Sequence, residues 1–352
     1  MPGHFWNKLS LLVLALLCSF NVYAAPKDHF KVAWSIYAGW MPWDYAASSG
    51  IMKKWADKYG IKVEIVQIND YVESINQYTA GAFDGCVMTN MDALTIPAAG
   101  GVDSTALIVG DFSNGNDGIV LKGKAKKLAD IKGQKVNLVE LSVSHYLLAR
   151  GLEKVGLKEK AITVVNTSDA DMVATFGSSA VTAAVTWNPL LAEIAAQPNT
   201  SKVFDSSEIP GEIIDLMVVN TETLKANPTF GKALVGAWYE IMALMQQGDT
   251  TALTAMAKAA ATDLAGYQAQ LATTKMFYNP ADAVAFTDSA DLPKTMRLVS
   301  QFSFDHGLLG SGAKSADAVG MAFTGGKLTG TKTNVKLRFD SSYMKLAADG
   351  KL

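Results

Sequence analysis

The stretch from Trp34 to Tyr45, Trp-Ser-Ile-Tyr-Ala-Gly-Trp-Met-Pro-Trp-Asp-Tyr, holds three of the chain's seven tryptophans. Such density where an apolar run breaks is costly to use as ordinary core. Aromatic faces bind planar or cationic groups at about 0.5–2 kcal/mol per contact, and Asp44 puts a carboxylate beside them. Trp34 reads as core, whereas Tyr37, Trp40, Trp43 and Asp44 read as ligand-facing. Other apolar runs also stop on polar or aromatic residues: Asn90 and Asp92 after GCVMT, Asp111 after ALIVG, Glu140 and Ser142 after KVNLV, and Trp187 closing AAVTW, while Asp215 opens the run IDLMVVN. Asp and Ser are also preferred helix N-caps, so Asp92, Ser142 and Ser144 carry two readings, a ligand contact or a cap.

Catalytic patterns are missing. There is no G-x-S-x-G, no complete Walker A and no G-x-G-x-x-G after a strand. A carboxylate pair such as Asp44 and Glu140 could do acid/base work, but nothing in the sequence brings the two together. His29, His145 and His306 are scattered, with no H-E-x-x-H or paired C-x-x-C, so neither a metal nor a cofactor is expected. Cys86, inside AFDGCVMT, reads as a small buried hydrophobe.

These residues need elements to hold them. Short β-rich runs (KVAWSIY, VEIVQI, GCVMT, STALIVGDF, GIVLK, QKVNLVE, ITVVNT) alternate with helical stretches, which predicts βαβ units and a mainly parallel sheet. Ligands of such sheets collect outside the carboxyl ends of the strands, where Tyr37 to Asp44 should lie. Past IDLMVVN the chain becomes Ala-, Leu- and Met-rich and helical. The tail after Gly310, with repeated Gly, Lys and Thr, reads as loosely packed surface.

With 352 residues, 49% hydrophobic and 18% charged, the chain is neither disordered nor low in complexity. It exceeds the roughly 250 residues that one core usually holds, so two lobes are expected. Turn-rich breaks at 113–118 and 206–212 are the candidate crossings, each of which could equally be a surface loop. A net charge of −2 makes nucleic acid an unexpected partner. Lys8, the run LSLLVLALLCSF and the A-x-A-like end at Ala24 read as a cleavable secretory signal peptide over residues 1–24. Leu17 before Cys18 disfavours a lipid anchor, and the expected destination is the periplasm.

Several stretches in order resemble the periplasmic substrate-binding proteins of ABC importers in the nitrate, sulfonate and taurine group, which includes thiamine-pyrimidine-like binders. They are Gly39-Trp40-Met41-Pro42, the helix end from Tyr78 to Asp84, LADIKGQKV, SHYLLARGLEKVGL and DMVATFGSSAVTAAVTWNPLL, so the resemblance covers roughly Lys31 to Asn220. It implies an α/β, two-lobed periplasmic binding protein fold (type II) with a ligand cleft between the lobes and a helical C-terminal region packed on lobe 1. Lobe 1 would comprise residues 25–113 and 213–352, and lobe 2 residues 114–212. The implied partners are a small solute and an inner-membrane permease, with closure over the solute as the signal; no enzyme activity is implied.

Sulfonate and nitrate binders of this group offer Ser, Thr, Arg and helix amides to an anion. Here the junctions carry Asp44, Asp92, Asp111, Glu140 and Asp215 and no Arg. A planar cation would gain carboxylate hydrogen bonds and stacking. The chain also resembles binding proteins associated with urea carboxylase-type clusters, which points to a guanidine-like solute. Urea, a sulfonate, nitrate or a thiamine pyrimidine are the other ligands considered. The last alternative is an enzyme of thiamine-pyrimidine synthesis; relatives of that kind carry a Cys-rich motif that this chain lacks.

Overall fold

The computed structural model describes residues Lys27–Leu352. The expected signal peptide, residues 1–24, lies outside them. Strand β1 (His29–Trp34) buries Phe30, Val32, Ala33 and Trp34. Such a run, with apolar residues on both pleats, suits the centre of a sheet covered on both faces. Its neighbours are β2 (Lys62–Gln67) and β3 (Gly85–Thr89), both parallel to it. After β4 (Ser104–Ser113) the chain leaves this sheet for a second one.

The second sheet is built from β5 (Asp117–Lys122), β6 (Lys135–Leu138), β7 (Thr163–Asn166), β8 (Ala183–Trp187) and β9 (Thr200–Asp205), in the order β7-β6-β8-β5-β9. The chain then returns through β10 (Ile214–Asn220), which enters the first sheet between β3 and β4, antiparallel to both. This return corrects the expectation of a mainly parallel sheet. A strand coming back from the second sheet runs against its hosts, and β5 likewise runs against β8 and β9. At the crossings Ser113 Oγ lies 2.6 Å from Ser206 Oγ, and the Gly115 amide donates to Ser206 Oγ at 2.7 Å. Gly115 has φ of 110°, a backbone conformation that favours glycine.

The C-terminal part adds mostly helices to the first sheet. The Pro228–Gln246 helix stacks Phe230 on Phe30 at 4.4 Å and Trp238 on Trp43 at 5.1 Å. Two more corrections arise here. A short strand β11 (Thr274–Met276) pairs with β4. The Gly-, Lys- and Thr-rich tail forms β12 (Gly320–Phe323), β13 (Lys327–Thr329) and β14 (Val335–Phe339) at one edge of the nine-stranded sheet. Its alternating apolar residues bury Met321, Phe323, Leu337 and Phe339, and Arg338 clamps Asp103 with two bonds at 2.9 and 2.6 Å. Composition hid a period-two pattern that decides burial. Among the described residues no helix is long and apolar enough to cross a membrane.

Candidate functional site

Strand β1 ends at Trp34, and the chain then turns through a 3-10 helix at Ala38–Trp40 into the Met41–Ser48 helix. Pro42 in the first turn of that helix loses nothing, because the amides there lack intrahelical partners anyway. The Tyr37 carbonyl accepts from the amides of Trp40 and Met41 at 2.9 and 3.2 Å. Gly39 is required by space: a Cβ there would lie 2.4 Å from the Tyr37 ring and 2.7 Å from Asp111 Oδ2. The turn therefore aims Tyr37 and Trp40 between the two sheets.

There they wall a small, partly open cavity of about 10 Å³ with Tyr71 and Thr89 from the first sheet's side. The second sheet's side contributes Asp117, Val143 and Trp187, and the returning chain contributes Ile213 and Asp215. Four rings form a continuous wall, with centroids 5.0 Å apart for Tyr37–Trp40, 5.7 Å for Trp40–Tyr71 and 5.5 Å for Tyr71–Trp187. Each ring of this wall but Trp40 is pinned by a hydrogen bond. Tyr37 donates to Asp111 Oδ1 at 3.0 Å, Tyr71 to Asp92 Oδ2 at 2.6 Å, and Trp187 Nε1 to the Ile36 carbonyl at 3.2 Å.

The cavity is acidic as well as aromatic. Asp111 and Asp215 stand opposite each other in the β4–β10 register, and Asp117 opens β5. All three are buried. Burial pushes Asp111 up to about 7, although hydrogen bonds from Asp215 and Tyr37 pull the other way. Burial, with help from the Asp111 charge, pushes Asp117 up to about 7 too. Asp215 is raised well above the usual carboxylate range by burial and then by the Asp111 charge, so of the two it is the one that keeps its proton. Behind the wall, burial raises Asp92 to about 6 and Asp169 to about 6. Among the described residues no Lys, Arg or His lines this cavity.

A second cavity of about 10 Å³ lies beyond Trp40 and Asp215, bordered by Trp43, Gly110, Asp111 and Trp238. Asp111 Oδ2, Asp215 Oδ2 and Trp238 Nε1 are buried there without a hydrogen-bond partner from a conventional donor or acceptor.

The structure thus divides the residues singled out from the sequence. Tyr37, Trp40, Trp187 and Asp215 line the first cavity, while Asp111 and Trp43 line only the second. Asp92 sits behind the wall, holding Tyr71 and accepting from Thr89 Oγ1 at 2.8 Å. Four residues fall elsewhere. Asp44, partly exposed in the first turn of its helix, borders neither cavity. Asn90 ties the returning chain, accepting from the Ile214 amide and donating to the Glu212 carbonyl at 3.1 Å each. Glu140 is exposed, and only its amide is engaged, with Asn166 Oδ1 at 3.0 Å. Ser142 is a helix N-cap that accepts from the Ser144 amide and donates to the Val139 carbonyl.

Tyr71 and Asp117 were not singled out from the sequence. Asp117 lay in the turn-rich SNGNDG, read only as a break, and Tyr71 opens a helix whose facing is invisible without the fold. The fold also brings two of the histidines together. His145 and His306, distant in sequence, meet at Glu159, with one ligand atom from each of the three within 4.8 Å of the others. Cys86 is fully buried, and burial pushes its thiol up to about 12.

A cavity between two α/β sheets joined by two crossings is the architecture of the periplasmic binding proteins, and solved structures match it. The alkanesulfonate-binding protein SsuA of Xanthomonas axonopodis, bound to MOPS, superposes with a TM-score of 0.68 at 16% identity, covering 84% of this chain and 99% of that one. The nitrate-binding protein NrtA of Synechocystis gives 0.67 at 13% identity, covering 92% of this chain and 89% of that one. A protein of Brucella abortus named as a binding protein is 24% identical over 188 residues, 53% of this chain. The match spans 57% of the length of that relative. Residues 48–273 match the NMT1/THI5-like family, and the chain belongs to that family.

Proposed function

We propose that this protein is the solute-binding component of an ABC importer and that it captures a small, planar, nitrogen-rich cation of the guanidine type between its two halves. One observation carries the choice of solute: Asp215 and Asp117 face a wall of four aromatic rings, with no basic side chain lining the cavity. An anion there meets carboxyl groups in a dry site, where like charge is costly. A planar cation stacks on the rings and donates N–H bonds to the acids. Urea offers similar donors without the charge.

The importer role rests on family membership and on the shared architecture. In this reading residues 25–113 with 213–352 and residues 114–212 are lobes that close over the solute, and the closed form is what the permease recognises. Preferential binding to the closed form shifts the population toward it. The protein acts in the periplasm after removal of its leader.

A second reading follows from the relatives whose names specify alkanesulfonate and nitrate. A protonated Asp215 supplies a donor that an anion could use. The test is a thermal-shift panel on protein stripped of carried-over solute by unfolding and refolding, with low-millimolar guanidinium, urea, taurine, nitrate and a thiamine pyrimidine. A ligand specific to the native state raises the midpoint. A shift with guanidinium and none with the anions is expected; a shift with taurine or nitrate and none with guanidinium overturns the cation reading.

A further inference from the structure

Away from the cavity, the end of the Leu292–Asp305 helix, which belongs to the chain after the second crossing, meets the second sheet's half of the molecule at three side chains. His306 Nε2 lies 2.8 Å from Glu159 Oε2, while His306 Nδ1 lies 2.9 Å from the Phe302 carbonyl. Both ring nitrogens therefore face oxygen acceptors, and only the doubly protonated ring can donate to both. The Phe302 ring, tilted 30° with its centroid 4.1 Å away, adds an aromatic face that favours the same charged form. On the opposite side His145 Nδ1 accepts from the Leu141 amide at 3.1 Å. Its own proton then sits on Nε2, 3.3 Å from the same Glu159 oxygen.

That arrangement argues against a metal, even though the three donors are close enough for one. A histidine that ligates through Nε2 carries its proton on Nδ1, where it donates to an acceptor. Here Nδ1 of His145 already takes a proton donor. Burial, the larger effect, and the His306 charge lower His145, in keeping with a ring that carries a single proton; desolvation raises Glu159, but the hydrogen bond and charge of His306 hold it below its ordinary range.

We propose that Glu159 and protonated His306 form a proton-dependent clasp between the two halves of the molecule, which biases the solute-free protein toward the closed arrangement. The charged groups around it are few. Glu140, exposed before the Val143–Lys154 helix, adds negative charge near His145; Lys158 and Lys160 flank Glu159 and are exposed. Asp305 is occupied by Gln301 Nε2 at 2.8 Å, and Arg150 by Glu212 at 2.9 Å. Imidazole changes charge between about pH 5 and 8. The clasp needs a proton on each ring nitrogen of His306, one for the Glu159 carboxylate and one for the Phe302 carbonyl, so it is made by the imidazolium and lost with the neutral ring.

The test uses small-angle scattering of the refolded, solute-free mature chain at pH 5.5 and 8.5, for the parent, His306→Gln, Glu159→Gln and the double variant. The parent is expected to expand as pH rises, whereas each variant is already expanded at pH 5.5 and the double variant expands no further. Cavity acids titrate in all four proteins, so the difference between parent and variant carries the result. His306 lies at a helix end and is partly exposed, so its variant keeps the fold; Glu159→Gln gives the same readout independently. Two results overturn the proposal: equal scattering of parent and variants at pH 5.5, or a parent that expands with EDTA and recloses with zinc, which would make the clasp a metal site.

Discussion

Asp111 and Asp215 face each other in register across β4 and β10, both buried, and burial raises both carboxyls above their usual range. Two carboxylates this close in a dry site cannot both ionise without a compensating cation. On the proposed reading, the charge of a cationic solute would stand in for the proton these acids otherwise hold.

Replacing Asp215 by Asn separates binding from stability. The protonated acid and the amide are similar in shape, so the solute-free midpoint should change little. Guanidinium affinity should fall about 100-fold, since losing one partner of a buried charge pair costs roughly 2–5 kcal/mol. Calorimetric titration of the refolded variant measures this; unchanged affinity would place the cation elsewhere.

The acids also set the pH response. Asp111 and Asp117 are held up to about 7, against about 3.9 for a free Asp. Between those values the unfolded chain has lost protons that the folded chain keeps, so solute-free stability falls as pH rises from about 4 to 7. Guanidinium affinity moves the opposite way, rising through about pH 7 as the acids ionise, with protons released on binding. Titration in two buffers of different ionisation enthalpy counts those protons, and a count of zero near neutrality would refute the exchange.

Trp40 and Trp43 should part company. Trp40→Ala removes a ring from the cavity wall and is expected to weaken guanidinium binding about tenfold, within the range of a desolvated cation–aromatic contact. Trp43→Ala breaks the stack on Trp238 and should cost about 3–5 kcal/mol of stability, as large aromatic deletions in cores do. Denaturant titration beside calorimetry distinguishes the two.

Gly39→Ala tests the turn. Its Cβ would lie 2.4 Å from the Tyr37 ring and 2.7 Å from Asp111 Oδ2, so Tyr37 must move and stability should drop by about 1–3 kcal/mol. Weaker solute binding should accompany that drop. By contrast, Glu140→Gln and Asp44→Asn border neither cavity and should leave affinity within roughly twofold.

Much of this architecture could be read from the chain alone. The alternation of β-rich runs and helices announced an α/β chain, which the structure lays out as two sheets. Tyr37, Trp40, Trp187 and Asp215 could be picked out because they stand where apolar runs stop or start, and the fold brings them to one cavity. What escaped was direction. Glu140 and Ser142 stand at a strand end like the others, but one faces solvent and the other caps a helix, a choice made by packing that no local pattern encodes. Tyr71, Asp117 and the meeting of His145 with His306 depend on contacts between distant segments, which spacing cannot show.

The tryptophans divide by environment. Trp40 and Trp187 border the cavity, whereas Trp43 and Trp238 stack at 5.1 Å with their planes 26° apart in the packed interior. Indole transitions couple at such separations. The stacked pair should therefore give a bisignate circular dichroism band that vanishes on unfolding, while the emission of Trp40 and Trp187 responds to occupancy. The chain carries two intrinsic optical channels, so folding and loading can be followed separately without a label.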